Sequence, residues 1–262
     1  MKYTFAALLF AGLMSCSSGN NTEIEEQDSQ IEETTQESDS KKGNHEALFT
    51  SEEIVVDGLA NEAIWDKATW YPINERWLGE AYDSSDFEGN FKAVWTENKL
   101  YLLVEVLDDT VISIYPNWND NWWNNDCVEI FIDEDNSDGN HQFNHNAFAY
   151  HVLTDGNVVD LGPDEKPHLY NNHVTMKRTV EGKKSVWEFG ITIFNDTYVE
   201  DAEKNETVAL TEGKEMGFAI AYCDNDSSET RENFVGTMVI EGEEKDRGWI
   251  DAGVFGTMYL IK

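Results

Sequence analysis

The run Cys127-Val128-Glu129-Ile130-Phe131-Ile132-Asp133 decides the fold. Val128, Ile130 and Ile132 alternate with Glu129, Phe131 and Asp133, a period of two that sends the aliphatics to one face of a strand and Glu129 to the other. The same period appears in residues 91–95 and 100–107, joined as a hairpin by the turn Thr96-Glu97-Asn98-Lys99. Further strands are predicted at 54–56, 148–153, 174–179, 185–193, 216–224, 234–240 and 254–261. Polar clusters at 133–140 and 224–228 separate some of them, and only residues 61–67 suggest a helical turn or two. Many short strands with no βαβ alternation predict an all-β chain, an antiparallel two-sheet β-sandwich of jelly-roll or immunoglobulin-like type.

Outward from that core, the N-terminus has a different character. Lys2 precedes an apolar run over residues 3–14 and then Ser15-Cys16, the plan of a signal peptide occupying residues 1–15. The run falls short of the roughly 20 apolar residues a membrane-spanning helix needs. Leu13-Met14-Ser15-Cys16 resembles a bacterial lipobox, which implies lipidation of Cys16 and export. Residues 16–45 are Ser, Thr, Asn, Gln and Glu with Ile24 and Ile31 as the large aliphatics, too few to offset the entropy of ordering, and are predicted to be a disordered acidic tether. This tail resembles those of lipoproteins displayed on the outer membrane in the Bacteroidota, which implies display at the cell surface. Residues 46–262 form the one folded domain.

The 262 residues contain 18 Lys+Arg against 52 Asp+Glu, a formal charge of −34, and the tether carries only a small part of it. Such a chain does not hold a nucleic-acid backbone by counterion release, nor is it drawn to an anionic membrane face, so its membrane contact is through the lipid alone. With 40% hydrophobic and 12% aromatic residues it still builds a core. Cys127 and Cys223 both sit in strand-like surroundings, and the residues leave open whether they pair or remain buried thiols. The spacing of Cys and His along the chain suggests no zinc site.

Nine Trp are many for this length. Trp65, Trp95 and Trp187 lie in apolar or strand settings, whereas Trp118, Trp122, Trp123 and Trp249 stand among Asn, Asp and other polar residues. An indole in a polar loop is an exposed flat apolar face and marks an interaction site. A sugar fits it, its C–H face on the ring and its hydroxyls on neighbouring Asn, Asp and Glu. One or more of these rings folding back over the sandwich is the alternative, and for Glu129 standing alone it is a solvated strand carboxylate.

Residues 123–133, Trp-Asn-Asn-Asp-Cys-Val-Glu-Ile-Phe-Ile-Asp, resemble the W-x-x-D-[SC]-[VI]-E-[IVL]-F-[IVL]-D core of family 9 carbohydrate-binding modules. Val56-Asp57-Gly58 with Ala63-Ile64-Trp65, the hairpin at 93–102, and Trp249-Ile250-Asp251 through Phe255-Gly256 to Leu260 match that family's other signatures in order. The resemblance spans roughly residues 50 to 262. It implies a β-sandwich without catalytic activity that stacks reducing-end sugars between two Trp rings, here Trp123 and Trp249, with Glu129 as hydroxyl-binding carboxylate and Trp122 beside them. The resemblance thereby implies a part in polysaccharide capture and catabolism, with an oligo- or polysaccharide as partner. Two positions depart: Asn144 stands where well-studied members have an Arg, and Asp246 where an Asn serves. The run 140–146, with His145, is expected to line the site in compensation.

Structural calcium is a further implication of the resemblance. The turn 133–139 alternates oxygen ligands, but its spacing is not that of an EF-hand. A sandwich-type glycoside hydrolase is the alternative function, yet Glu129 and Asp133 are separated by roughly 13 Å of strand, whereas glycosidase carboxyl pairs stand about 5–9.5 Å apart. A haem-binding sandwich using Met176, Met216 or Met238 with a His is the third alternative, and strand Met is more commonly core filler. The expectation is therefore a binding protein and not an enzyme.

Overall fold

The computed structural model describes residues 43–262, so the expected signal peptide, Cys16 and most of the expected tether lie outside the described residues. The described part is all-β, as the two-residue period predicts. Its strands are β1 (Asn44–Phe49), β2 (Tyr71–Ile73), β3 (Glu75–Leu78), β4 (Phe87–Trp95), β5 (Leu100–Asp108), β6 (Cys127–Asp133) and β7 (Phe148–Leu153). The chain continues through β8 (Val158–Leu161), β9 (Pro167–Leu169), β10 (Val174–Glu181), β11 (Lys184–Ile191), β12 (Glu215–Asp224), β13 (Asn233–Gly236) and β14 (Gly256–Ile261).

Neighbouring strands follow the order β10-β11-β5-β4-β1-β14-β12-β6-β7-β8-β9. The β4/β5 half and the β12/β6/β7 half close on one core, in which Phe91, Leu102 and Trp187 share a cluster with Val128, Ile130 and Tyr222. This is the sandwich, with one feature that a purely antiparallel plan lacks. β1 runs parallel to both β14 and β4, joining the two halves. It begins at Asn44, so Asn44 and His45 belong to the folded domain rather than to the tether. His45 packs edge-on against Tyr71 and Phe91 inside it.

Residues 54–56, predicted as a strand, are not one. Ile54 instead seats on Trp65, Val94 and Tyr101 in a satellite cluster. Val55 donates its N–H to the Glu62 side chain at 3.1 Å. Just beyond, the carboxylate of Glu188, buried on β11, accepts the N–H groups of Asp57 and Gly58 at 2.9 Å each and the indole N–H of Trp65 at 3.3 Å. These bonds replace a ladder, and Gly58 meets them with φ +82. Residues 61–67 form successive turns and no helix.

The second face of the β12/β6/β7 half is also covered. Cys127 and Phe131 lie there with Trp77, Trp122 and Phe255 in a separate apolar cluster. Trp77 reaches that cluster because Gly236 has no side chain; a Cβ there would stand 2.1 Å from the indole.

Candidate functional site

Glu129 occupies the face opposite Val128 and Ile130, as the alternation requires. That face is not open water, and Glu129 is only 2% exposed. The carboxylate forms part of the floor of a cleft of about 490 Å³, into which Trp122, Trp123, His151, Arg231, Asp246 and Trp249 also project.

Two short turns position the Trp residues. Asn121, in the left-handed region at φ 47, leads into a 3-10 turn over Trp122–Asn124. Asn124, Asn125 and Asp126 lock that turn down. Asn125 exchanges hydrogen bonds with the Tyr115 backbone at 2.9 and 2.8 Å, and Asp126 accepts the N–H of Asn225 at 2.8 Å. Asn124 accepts the backbone N–H of Arg231 at 3.1 Å. The polar residues after Trp123 therefore fasten two loops to the start of β6 and tie the Trp-bearing turn to Arg231. Trp122 folds back into the apolar cluster, while Trp123 stands 37% exposed at the cleft wall.

Trp249 ends a second 3-10 turn, Arg247–Trp249, entered through Asp246, and is likewise 37% exposed. His141 holds this turn from below. Its Nε2 lies 2.7 Å from the Gly248 carbonyl, and its backbone N–H donates to Ile250 at 2.9 Å. Residues 140–146 thus support the Trp249 turn. Asn144 and His145 are not among the residues lining the cleft. Asn144 closes its own loop, donating to the Asn140 carbonyl and accepting the N–H of Asn146. His145 stacks on Phe148, with Nδ1 3.0 Å from the Tyr198 carbonyl.

The cation in the cleft is Arg231, which sequence reasoning passed over. It lies in a polar stretch after β12 that has no period. Its guanidinium sits 3.9 Å over the Phe234 ring and donates to Cys223 Sγ at 3.3 Å. Glu129 Oε2 is 3.1 Å from His151 Nε2 across the β6/β7 ladder. Burial, the largest single influence, depresses the His151 pKa, but the Glu129 charge and its hydrogen bond, with Cys223, together outweigh it and the net shift is upward. Asp160, at the cleft edge, is raised to about 7 by burial, although it accepts the N–H groups of Ala149 and Leu161. Cys127 and Cys223 are opposite one another on β6 and β12 as free buried thiols.

A second polar constellation lies outside the cleft. Carboxylate oxygens of Asp108, Asp224 and Asp226 lie within 4.8 Å of one another, as do those of Asp86, Asp109 and Asp226. Asp108 and Asp224 are buried, and Asp226 Oδ1 is buried without a hydrogen-bond partner. Burial, then repulsion from these neighbours, raises Asp224 to about 8. The turn after β6 contrasts with this. Asp133 Oδ2 accepts the Asp138 N–H at 2.8 Å and Asp135 accepts that of Ser137 at 3.2 Å, closing the turn, while Asp133 Oδ1 is buried without a partner.

The family model described as "Carbohydrate family 9 binding domain-like" matches residues 56–262. A sequence relative is endo-1,4-beta-xylanase A of Thermotoga maritima, 27% identical over 209 residues; the match takes in 79% of this chain but 17% of the xylanase. Among solved structures, a family 9 carbohydrate-binding module of Caldicellulosiruptor kristjanssonii in complex with cellotriose superposes with a TM-score of 0.61 at 19% identity, over 84% of this chain and 94% of that one. The same module in complex with glucose gives 0.60 at 19% identity, over 83% and 95%. A putative carbohydrate-binding protein of Bacteroides uniformis gives 0.55 at 14%, over 84% and 100%.

Proposed function

Because this chain belongs to the carbohydrate family 9 binding domain-like family, we propose that it binds the end of a neutral glycan without cleaving it. One observation carries the reading. Two half-exposed Trp rings, delivered by separate turns, line a single cleft whose floor is a carboxylate. In the proposed complex Trp123 and Trp249 stack on sugar C–H faces, Glu129 accepts from hydroxyls, and Arg231 donates to them. His151 orients Glu129, and Asp246 reads the sugar edge beside Trp249.

Calorimetric titration of the chain with glucose and cello-oligosaccharides, then a wider glycan panel, tests this. Saturable heat with one glycan class supports it, and no heat with any glycan removes it. Reducing sugar released from a polysaccharide panel would instead establish the hydrolase alternative.

The exported lipoprotein, held at the outer face of the outer membrane by Cys16 and capturing polysaccharide for breakdown, belongs to the same proposal. Mass spectrometry of the mature N-terminus checks the lipid, and protease accessibility on intact cells checks the face. Calcium, if held, fits the Asp108, Asp224 and Asp226 set better than the turn at 133–139. Three carboxylates with oxygens within 4.8 Å of one another, and the mutual repulsion between them, are what a hard dication relieves. Its role there would be to fix the β5 and β12 ends.

A further inference from the structure

Beneath the cleft, three adjacent strands bring together side chains that are far apart in sequence. Register sets Cys223 on β12 opposite Cys127 on β6, and Glu129, two residues along β6 on the same face, opposite His151 on β7. Two thiols, an imidazole and a carboxylate therefore occupy one small area of sheet. All four are buried, at 8% exposure or less.

Their spacing is that of ligands around a common centre. Single donor atoms of Glu129, His151 and Cys223 lie within 4.8 Å of one another. Glu129 Oε2 is 3.1 Å from His151 Nε2 and 4.0 Å from Cys223 Sγ. Tetrahedral zinc with bonds of roughly 2.0–2.1 Å to N and O and 2.3 Å to S places N and O about 3.3 Å apart and O and S about 3.6 Å apart. The observed separations bracket those values, so small side-chain adjustments close the site.

The Glu129–Cys223 distance is long for a hydrogen bond, which leaves these two groups adjacent without a strong direct interaction. Arg231, donating to Cys223 Sγ at 3.3 Å, holds the position of an outer-shell donor to a metal-bound thiolate.

We propose that Glu129, His151 and Cys223, with Cys127 beside them, form a site for a thiophilic divalent cation of the zinc class at the floor of the cleft. Sulfur and imidazole donors select such an ion over calcium or magnesium. On binding, the His151–Glu129 hydrogen bond opens and the ring keeps a single proton, on Nδ1, so that Nε2 offers its lone pair. The Cys223 proton leaves to solvent and the thiolate becomes a ligand. Glu129 lines the cleft, so the metal sits directly beneath the surface on which a ligand rests. The site stands on its own donor atoms and does not depend on the sugar reading.

The test uses the full chain, reduced and freed of metal by chelator, titrated with cobalt(II). One equivalent should produce a thiolate-to-cobalt charge-transfer band together with tetrahedral ligand-field bands, and zinc should displace both. Cys223→Ser should abolish the charge-transfer band, and His151→Gln should weaken cobalt affinity at least tenfold. Near-ultraviolet circular dichroism establishes that each variant is folded. If Cys223→Ser does not fold, His151→Gln decides the question. No charge-transfer band in the folded wild-type chain, or a band and affinity that both variants leave unchanged, would overturn the site. Sugar titration of the same metal-free sample is read separately, so loss of either property does not mask the other.

Discussion

Trp122 and Trp123 are neighbours in sequence with rings nearly perpendicular, 82° between planes and 4.8 Å between centroids. The first is 5% exposed and the second 37%. The buried ring braces the half-exposed one in an edge-to-face contact. Adjacent residues of one type thereby carry different work.

That division predicts opposite phenotypes. Trp123→Ala or Trp249→Ala should remove a stacking face and cost about 1–3 kcal/mol of sugar affinity, roughly 5- to 150-fold, with little change in melting temperature. Trp122→Ala should destabilise the fold by about 3–5 kcal/mol, as large-to-small core changes do. Calorimetry and thermal denaturation on the three variants separate the outcomes. Full affinity in Trp249→Ala would refute the two-ring clamp.

Arg231 supplies a planar fork of donors that Lys cannot reproduce. Arg231→Lys should keep the charge and still weaken sugar binding by about tenfold, or 1.4 kcal/mol. Undiminished affinity would show that the guanidinium serves only Cys223 and Phe234.

Asn144 lies outside the cleft and has no guanidinium, so in the proposed complex recognition of a reducing end would fall to Glu129, Arg231 and Asp246. Reducing sugars and their reduced alditols should then give different heats in parallel titrations. Equal heats would remove the reducing-end preference.

The buried carboxylates predict a pH dependence. Burial, followed by neighbouring charge, lifts Asp126 to about 9 and Asp224 to about 8 from an ordinary 3.8. Above the ordinary value the unfolded chain has released protons that the folded chain retains, so stability falls as pH rises from about 4 toward 9. Calcium bound at Asp108, Asp224 and Asp226 should flatten that fall. Melting curves across this range, with calcium and with chelator, check it; identical curves would remove calcium from this cluster.

Much of this architecture is legible in the chain. The alternation in β6 assigns Val128, Ile130 and Ile132 to the main core, and Trp65, Trp95 and Trp187 are buried where their apolar settings place them. What escapes is whatever a pattern of two does not encode. β1 opens with Asn44 and His45, which read as tether, because its partners β14 and β4 are distant in sequence. Residues 54–56 have strand composition, but Val55 donates its N–H to the Glu62 side chain, and the next two residues are held by one buried carboxylate, Glu188. In the cleft, Trp123, Glu129, Asp246 and Trp249 come together, whereas Arg231 is brought in by loops pinned through Asn124 and Asp126. Asn144 and His145 look like polar site residues in sequence, but Asn144 is consumed by bonds within its own loop and His145 turns away to the Tyr198 carbonyl.

The parallel seam at β1 has a mechanical consequence. Its registered pairs run from Asn44 opposite Thr257 to Leu48 opposite Ile261, with ladder bonds directed across the strand. A pull along the chain at Asn44 is directed along the strand and loads those bonds together in shear, where a hairpin pulled across its ends opens one bond at a time. A domain held by its N-terminal end and tugged through its ligand would meet the force at its strongest geometry. For the anchored form proposed above, resistance to drag would then come from the order of the strands, apart from any affinity in the cleft.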